Sequence, residues 1–570
     1  MKRNILIISI VLLAMQAYAQ HDEQVTVEGK YRPKVNKVNK LKLTPETPVP
    51  TYVMPSTEVN PKEASQKFAI ELEKISPTAY ASKDDKSVTP TRNFIMAGMG
   101  TRLSPLFLYK HNSMLTKTLG LGVGIKHNSS WLNIKDYAPS SYMNNAFDVS
   151  LSTSAIEGLQ MDFGVYYKND MYHYYGVNLV EMPLTDEEIT SYCGRFTNNT
   201  VGAHFGMAST STRVGDLSHS GSVDYQYFIG IEHFVDLAYG LGYTQNWWGD
   251  KNHPQKLGVD LGFQYDGYAQ NKYNMNQGRI FFKVNPFFEM KGEFYRLHLG
   301  VLLDGVSQIE EDDRLLAVRP DVSGSLFVLN KKLEFYAGLN GGRKLTRFAE
   351  LTSENPFMPH DKMDRLLAQN VKFGFDGGVR TNVAEIVDMH FGVRYRQTDN
   401  DPMFVSDCLD TQPEMMGLDY EPIYNAFSFV YDEIQQVSVL ADMRVKLRNS
   451  LTFDLGFAYN NWKPTTELYA WYRPMMEGRL KLSYELNDKW AFHSSFLYQG
   501  GRYAKVFTSE GYQTKKLKDV LDLSLGADYK VNDQITAFAL LDNVLCQKYQ
   551  LYYNYPVTGI QFFAGVKLRF

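Results

Sequence analysis

The sequence predicts an all-β protein: a transmembrane antiparallel β-barrel of about 20–22 strands behind an extended N-terminal tail. Three observations predict it. From Asn93 to Phe570, apolar and polar residues alternate with period two in stretches of about ten. Residues 1–19 have the three parts of an export leader. After that leader, no run of about 18 apolar residues offers a helical membrane span.

The leader comes first. Lys2 and Arg3 form its positive end, Ile5 to Ala14 its apolar core, and Ala17-Tyr18-Ala19 an A-x-A cleavage site before Gln20. The core is too short for an anchor, and no lipid-accepting cysteine follows the cut. The chain is therefore expected to leave the cytoplasm, which disfavours nucleotide-dependent chemistry.

Residues 20–92 are polar and proline-rich. Lys30, Arg32, Lys34, Lys37, Lys40 and Lys42 make the first part basic, and Pro33, Pro45, Pro48, Pro50, Pro55 and Pro61 stop regular structure. Such composition cannot bury a core, so it reads as extended chain. One short helix is expected, with Asn60 as cap, Pro61 in the first turn and Glu63 at the capping-box position. Ala64, Phe68, Leu72 and Ile75 share one face of it. The lysines are either a solvated linker or positive charge threading a lumen or touching anionic lipid.

Residues 93–570 carry the barrel pattern. In Leu257 to Asp266, Leu257, Val259, Leu261, Phe263 and Tyr265 alternate with Gly258, Asp260, Gly262, Gln264 and Asp266. Val387 to Arg396, Leu451 to Asn460 and Leu521 to Lys530 repeat the alternation. About ten residues suffice to cross a bilayer at barrel tilt. Lipid offers no hydrogen bonds, so strands can span it only in a closed sheet with apolar side chains outward. A soluble sandwich or propeller also alternates, but it rarely sets charge against aliphatic and aromatic residues over ten-residue strands. A blade repeat of about 40 residues is not visible either. The count falls to about 16–18 if some stretches form loop hairpins. Turns or loops are expected at Asp250–Pro254 and Ser353–Pro356, and longer loops at Met182–Asn199 and Arg396–Glu421.

Composition agrees. The chain has 38 Tyr and 34 Phe, enough for aromatic belts at two interfaces; Trp247 and Trp248 fit such a belt. The formal net charge is −4 with no basic block, which argues against nucleic acid as a partner. Cys193, Cys408 and Cys546 lie far apart; they form no metal-ligand spacing, although a Cys193–Cys408 bridge is conceivable.

Few residues point to chemistry. Ser218 and His219 are neighbours on a strand and would face opposite ways, so a hydrolase is disfavoured. The acidic run Glu310-Glu311-Asp312-Asp313 lacks the spacing of a calcium loop. No metal site and no cofactor are expected. More informative are the charges that alternation sends inward: Asp260, Asp388, Arg394, Arg396, Asp442, Arg444, Asp522 and Asp528. They either set a pore's preference for polar solutes or form cross-strand ion pairs that keep the wall polar.

The carboxyl end carries a resemblance. Ile560, Phe562, Ala564, Val566, Leu568 and Phe570 point outward on a last strand that ends on an aromatic residue. Before it come Asp542-Asn543-Val544-Leu545, Lys548-Tyr549, Tyr555-Pro556 and Gly559, with Cys546 where an Asp is usual. This resembles the end of TonB-dependent receptors. The resemblance implies an outer-membrane barrel whose terminal Phe570 is read by the barrel-assembly machinery. Near the other end, Glu23, Gln24, Val25, Thr26 and Val27 are similar to a TonB box, a segment that implies strand addition to an energy-transducing periplasmic protein. Receptors of this family carry a plug of well over about 100 residues; residues 28–92 do not read as one. The combination resembles plugless, receptor-related barrels of the Bacteroidetes type.

The sequence thus predicts an outer-membrane transport protein passing or importing a polar solute. Lipid and the assembly machinery are its expected partners, joined by TonB and a surface lipoprotein if uptake is energy-coupled. The competing readings are a non-conducting barrel that anchors a periplasmic or surface partner and, last, a membrane-embedded hydrolase.

Overall fold

Twenty-two strands form one closed antiparallel sheet in the computed structural model. It describes residues 92–570, apart from 211–213, 249–252, 271–274, 308–315, 361–364, 384–385, 409–422, 448–449 and 509–510. The leader, the basic tail, the TonB-box-like residues and the acidic run at 310–313 lie outside the described residues.

The strands follow one another around the ring, each paired with the next: β1 (Asn93–Gly100), β2 (Ser104–Met114), β3 (Leu119–Ser130), β4 (Tyr142–Thr153), β5 (Leu159–His173), β6 (Arg195–Ser209), β7 (Leu217–Phe228), β8 (Glu232–Gln245), β9 (Gln255–Gln270), β10 (Met275–Lys291) and β11 (Tyr295–Val306). The second half comprises β12 (Leu316–Val328), β13 (Leu333–Leu345), β14 (Ala368–Val383), β15 (Val387–Asp407), β16 (Ala426–Leu447), β17 (Leu451–Pro464), β18 (Met476–Glu485) and β19 (Trp490–Gly500). A hairpin of β20 (Tyr503–Thr508) and β21 (Gly511–Lys516) then leaves the ring, which resumes with β22 (Val520–Lys530) and β23 (Ile535–Asp542). A second small hairpin, β24 (Gln550–Tyr552) and β25 (Tyr555–Pro556), precedes β26 (Gln561–Arg569).

β26 pairs with β1 from Phe94↔Arg569 to Gly100↔Phe563, so the sheet has no free edge. At this seam Gly98 faces Gly565. A Cβ on either would lie 2.7–2.8 Å from the Phe538 ring, so the two bare positions let that ring fill the inside of the seam.

The alternation maps onto the two faces of the sheet. On β15, Phe391 and Val393 are exposed while His390, Gly392 and Arg396 are buried; on β17, Leu455, Phe457 and Tyr459 are exposed. An apolar outside and a polar inside invert a soluble protein and suit a wall that hydrocarbon surrounds. Among the described residues, no helix is long and apolar enough to cross a membrane.

The two ends of the cylinder differ. One carries short turns such as 115–118, 292–294 and 531–534. The other carries the long connections 131–141, 174–194, 346–367, 465–475, 501–519 and 543–560. Two expected loops are corrected here. Arg396 to Asp407 continues β15, and β16 begins at Ala426, so these strands of 21 and 22 residues rise as a tall hairpin. A register shift between Thr398 and Asp401 accommodates the polar run that reads as a loop, and Met403, Phe404 and Val405 are buried against the long loops. The loop expected at Met182–Asn199 instead holds helix α1 (Asp186–Tyr192), and β6 already starts at Arg195. Ser353 and Glu354 close a second helix, α2 (Phe348–Glu354), instead of a turn. None of the three cysteines is joined in a disulfide, so Cys193 and Cys408 form no bridge.

Candidate functional site: a loop cap over a charged wall

The long loops fold together into a cap with its own apolar core, in which Tyr174, Phe357, Phe427, Trp471, Tyr472, Tyr552 and Tyr555 are all buried. Local sequence starts each piece. Thr185 caps α1 and forms a capping box with Glu188, and three acids in the first turn suit the helix dipole. Tyr192 and Cys193 then bury against Ala138, Val177 and Ile423. Burial pushes the Cys193 thiol up to about 12.

Helix α2 has no side-chain cap of its own. The Glu232 carboxylate, at the start of β8, accepts from the N–H groups of Phe348 at 2.7 Å and Ala349 at 3.0 Å instead. A carboxylate fixed in the wall thus does what an N-cap residue usually does and moors the helix to the barrel.

The motif near the carboxyl end forms the centre of the cap. Asn543, at φ 49°, donates to the Gln547 and Thr558 carbonyls and accepts from Gln547 N–H, closing the base of the β24–β25 loop. The Tyr549 hydroxyl donates to Asp522 at 2.8 Å. Tyr555 stacks on Phe357 with centroids 3.8 Å apart and donates its hydroxyl to the Asn425 carbonyl. Tyr552 donates to the Glu354 carbonyl at 2.7 Å and Tyr175 to that of Pro556 at 3.1 Å. Burial drives these three cap phenols upward, so they stay neutral donors. Arg502 ties the β20–β21 hairpin to the same unit by donating to the carbonyls of Gln550 and Leu551.

The connection 465–475 lies across β15–β17 as a strap. Arg473 makes a two-pronged pair with Asp401, both contacts at 2.7 Å, and Asp432 accepts from the N–H groups of Thr466 and Glu467. Burial disfavours the Arg473 charge, but Asp401 outweighs it and raises the pKa. A cavity of about 60 Å³ remains beside the β24–β25 hairpin, between Tyr142, Tyr172, His173 and Phe357.

Below the cap the inner wall is laced with ion pairs. Arg279 pairs with Asp266 and donates to the Thr346 and Leu366 carbonyls, so it fastens the α2 loop from beneath. Asp304 meets Arg319 and Arg343. A buried pair alone is weak evidence for stability. Here Asp266–Arg279 and Asp304–Arg319 join neighbouring strands, Arg343 reaches Asp304 from two strands away, and Arg279 also holds loop backbone.

The residues expected to line the lumen are spread around this wall. Arg394 pairs with Asp376 on β14 at 2.9 Å. Asp442 takes His390 at 3.4 Å and Arg479 at 3.2 Å. Arg444 pairs with Asp454, and Asp528 with Lys567 at 2.6 Å. Asp388 accepts from Asn382, and Asp522 from Tyr549. Asp260 lies across from Gly240 and Asn285 in the register of β8–β10. Arg396 stands apart: it is 4% exposed, and its Nε and Nη2 meet no hydrogen-bond partner among the described residues. Most of these charges therefore sit in local pairs and are not gathered into one cluster. Ser218 donates to the Gly242 carbonyl at 3.0 Å. Among the described residues, no group of His, Cys, Asp and Glu could hold a metal ion.

Sequence reading missed Glu232, Arg279, Asp401 and Arg473, the residues that moor the cap. Each is an isolated charge in an alternating or loop stretch, and only the fold reveals its partner.

No family model and no curated protein matches the chain. Solved structures do. FpvA of P. aeruginosa, bound to a pyoverdine, aligns with a TM-score of 0.61 at 11% identity over 85% of this chain and 72% of that one. The siderophore receptor PirA from Acinetobacter baumannii aligns at 0.60 and 10% over 85% and 81%. The copper transporter OprC aligns at 0.55 and 15% over 85% and 84%. Such identities speak for the fold alone, and in that respect the chain is a 22-stranded β-barrel built like these receptors.

Proposed function

We propose that this chain is an outer-membrane transport protein that passes or imports a polar solute through its barrel. One observation carries the reading: a seamless apolar-outside cylinder with a charged inner wall, whose long loops fold at one end into a cap that is moored by polar contacts. In barrels of this kind the short turns face the periplasm and the long loops the outside. The cap then stands where solute arrives, and the resemblance of the carboxyl end to TonB-dependent receptors supports import. The structural neighbours, receptors for siderophores and a copper transporter, lend the same support.

Single-channel conductance of the full chain in a planar bilayer tests this. A variant with a loosened strap, Arg473→Gln, should conduct more often than the unaltered protein. If both remain sealed to ions and small sugars, the barrel is an anchor for a partner instead. Energy coupling has its own test. Deleting residues 23–27 should abolish uptake by cells if the TonB-box reading holds, and unchanged uptake would remove TonB from the list of partners. A surface lipoprotein that co-purifies with the intact barrel would extend the import reading.

A further inference from the structure

The geometry points to an oxyanion-binding subsite on the inner wall of β15, centred on Arg396 and taking a carboxylate, phosphate or sulfate group of the solute. The inference gives a chemical class to the solute of the transport reading and rests on that reading for its biological meaning.

Arg396 lies inside the barrel, two residues along the strand from Arg394, while the intervening Tyr395 belongs to the outward set. The side chain is 4% exposed, and two of its three guanidinium nitrogens meet no acceptor among the described residues. Buried arginines are normally paired, because a desolvated charge with idle N–H groups is costly. The register explains why this one is not. Its neighbour on β14 is Gly374, which has no side chain to offer. Its neighbour on β16 is Gln436, whose side chain turns its NH2 to Ser438 and Asn460 and offers no acceptor bond to the two idle nitrogens.

The charges that act on Arg396 are Arg394, Asp376 and Asp401. Both carboxylates already serve other arginines: Asp376 accepts from Arg394 at 2.9 Å, and Asp401 takes the fork of Arg473. Asp376 keeps one oxygen on Arg394 and Asp401 both of its oxygens on Arg473, so among the described residues neither carboxylate bonds the idle nitrogens of Arg396. The idle nitrogens are those of a planar fork, whose geometry matches a two-oxygen acceptor. The strap 465–475 crosses the same strands and is fastened by Asp401 next along the wall. A solute would therefore reach Arg396 once that strap lifts. The buried guanidinium nitrogens without a bond and the bare glycine position beside them are the two observations on which the site stands.

The test uses the full chain purified in a phosphate-free maltoside detergent, titrated calorimetrically with inorganic phosphate, sulfate and acetate against chloride at equal ionic strength. Saturable binding of an oxyanion at one site per chain is expected. Arg396→Gln should weaken it by about tenfold or more, Arg396→Lys should restore it only in part because the fork is lost, and Lys489→Gln in a distant turn should leave it unchanged. Repeating the titration in nanodiscs of phosphatidylglycerol separates a lipid headgroup from a free ion: competition by the lipid would move the site off the lumen and overturn the proposal. Failure of any oxyanion to bind, or equal binding by Arg396→Gln, would overturn it as well, and would show that Arg396 closes onto the open oxygen of Asp376. Should Arg396→Gln fail to fold, protection of the unaltered chain against heat by phosphate, and its marked reduction in Arg396→Lys, decides the matter. Conductance is not part of this readout, so failure here leaves the transport reading standing.

Discussion

Replacing Arg473 by Gln should free the strap that crosses β15–β17. Arg473 gives one nitrogen to each oxygen of Asp401 at 2.7 Å and a further bond to the Pro402 carbonyl at 3.1 Å, with its plane 5.2 Å from the Trp462 ring. Removing one member of a fully buried pair costs about 3–5 kcal/mol. Here the side chains keep 24% and 12% exposure, so water recovers part of the loss and about 2–3 kcal/mol is expected. If the strap opens as one unit, its amides should exchange about 30–150 times faster. Hydrogen exchange followed by mass spectrometry reads this directly. The reporting amides are Thr465, bonded to Glu433, those of Thr466 and Glu467 on Asp432, and Tyr472 on Tyr503. The ladder of β16 around Val437 to Val439 should not change. An acceleration below about threefold would mean that the ion pair contributes under roughly 0.7 kcal/mol and that apolar packing alone holds the strap.

Other outcomes follow from the same geometry. Glu232→Ala should leave the first N–H groups of α2 without acceptors and cost about 1–2 kcal/mol, seen as selective loss of exchange protection in residues 348–354. Leu261→Arg, on the outer face of β9, should destabilise the barrel by about 2–4 kcal/mol in urea titrations in lipid vesicles, and a neutral result there would contradict the lipid-facing assignment. Cys546 should react promptly with a maleimide while buried Cys193, its thiol pushed up to about 12, stays protected until the cap opens. For Glu350, burial works upward but Lys344 and Arg347 together outweigh it and hold the carboxyl below its ordinary 4.5. A lowered pKa stabilises the fold above the ordinary value and loses that contribution as pH falls through the folded value. Protection of α2 should therefore weaken on acidification, and Glu350→Gln should abolish that dependence.

The barrel was legible because its physics is local. Each outward side chain must be apolar and the next need not be, so Leu257 to Asp266 or Leu451 to Asn460 declares both strand and facing without reference to the rest of the chain. The cap was not, because its pieces gain nothing alone. Tyr555 has a place only between Phe357 and Tyr175, about 200 and 380 residues upstream in the chain. The upper half of β15 misled for a related reason: Gln397, Asp399, Asn400 and Asp401 read as a loop, and contacts with the strap and the neighbouring strands carry the strand through them, past a register shift where Asn400 takes a left-handed φ of 52°. Among the inward charges, alternation indicated a facing but not a partner. That is why Arg394 and Arg396 look alike in sequence and differ in the fold.

The seam between β1 and β26 has a consequence for how the molecule is made. Its first and last hydrogen-bonded segments are nearly the whole chain apart, so no partial product is a smaller version of the finished one. A ribosome that stopped a dozen codons early would release a sheet with two raw margins, Asn93–Gly100 among them, each ready to recruit a neighbouring polypeptide. Biogenesis therefore has to shelter both margins until the nine residues Gln561–Arg569 arrive to zip the ring shut.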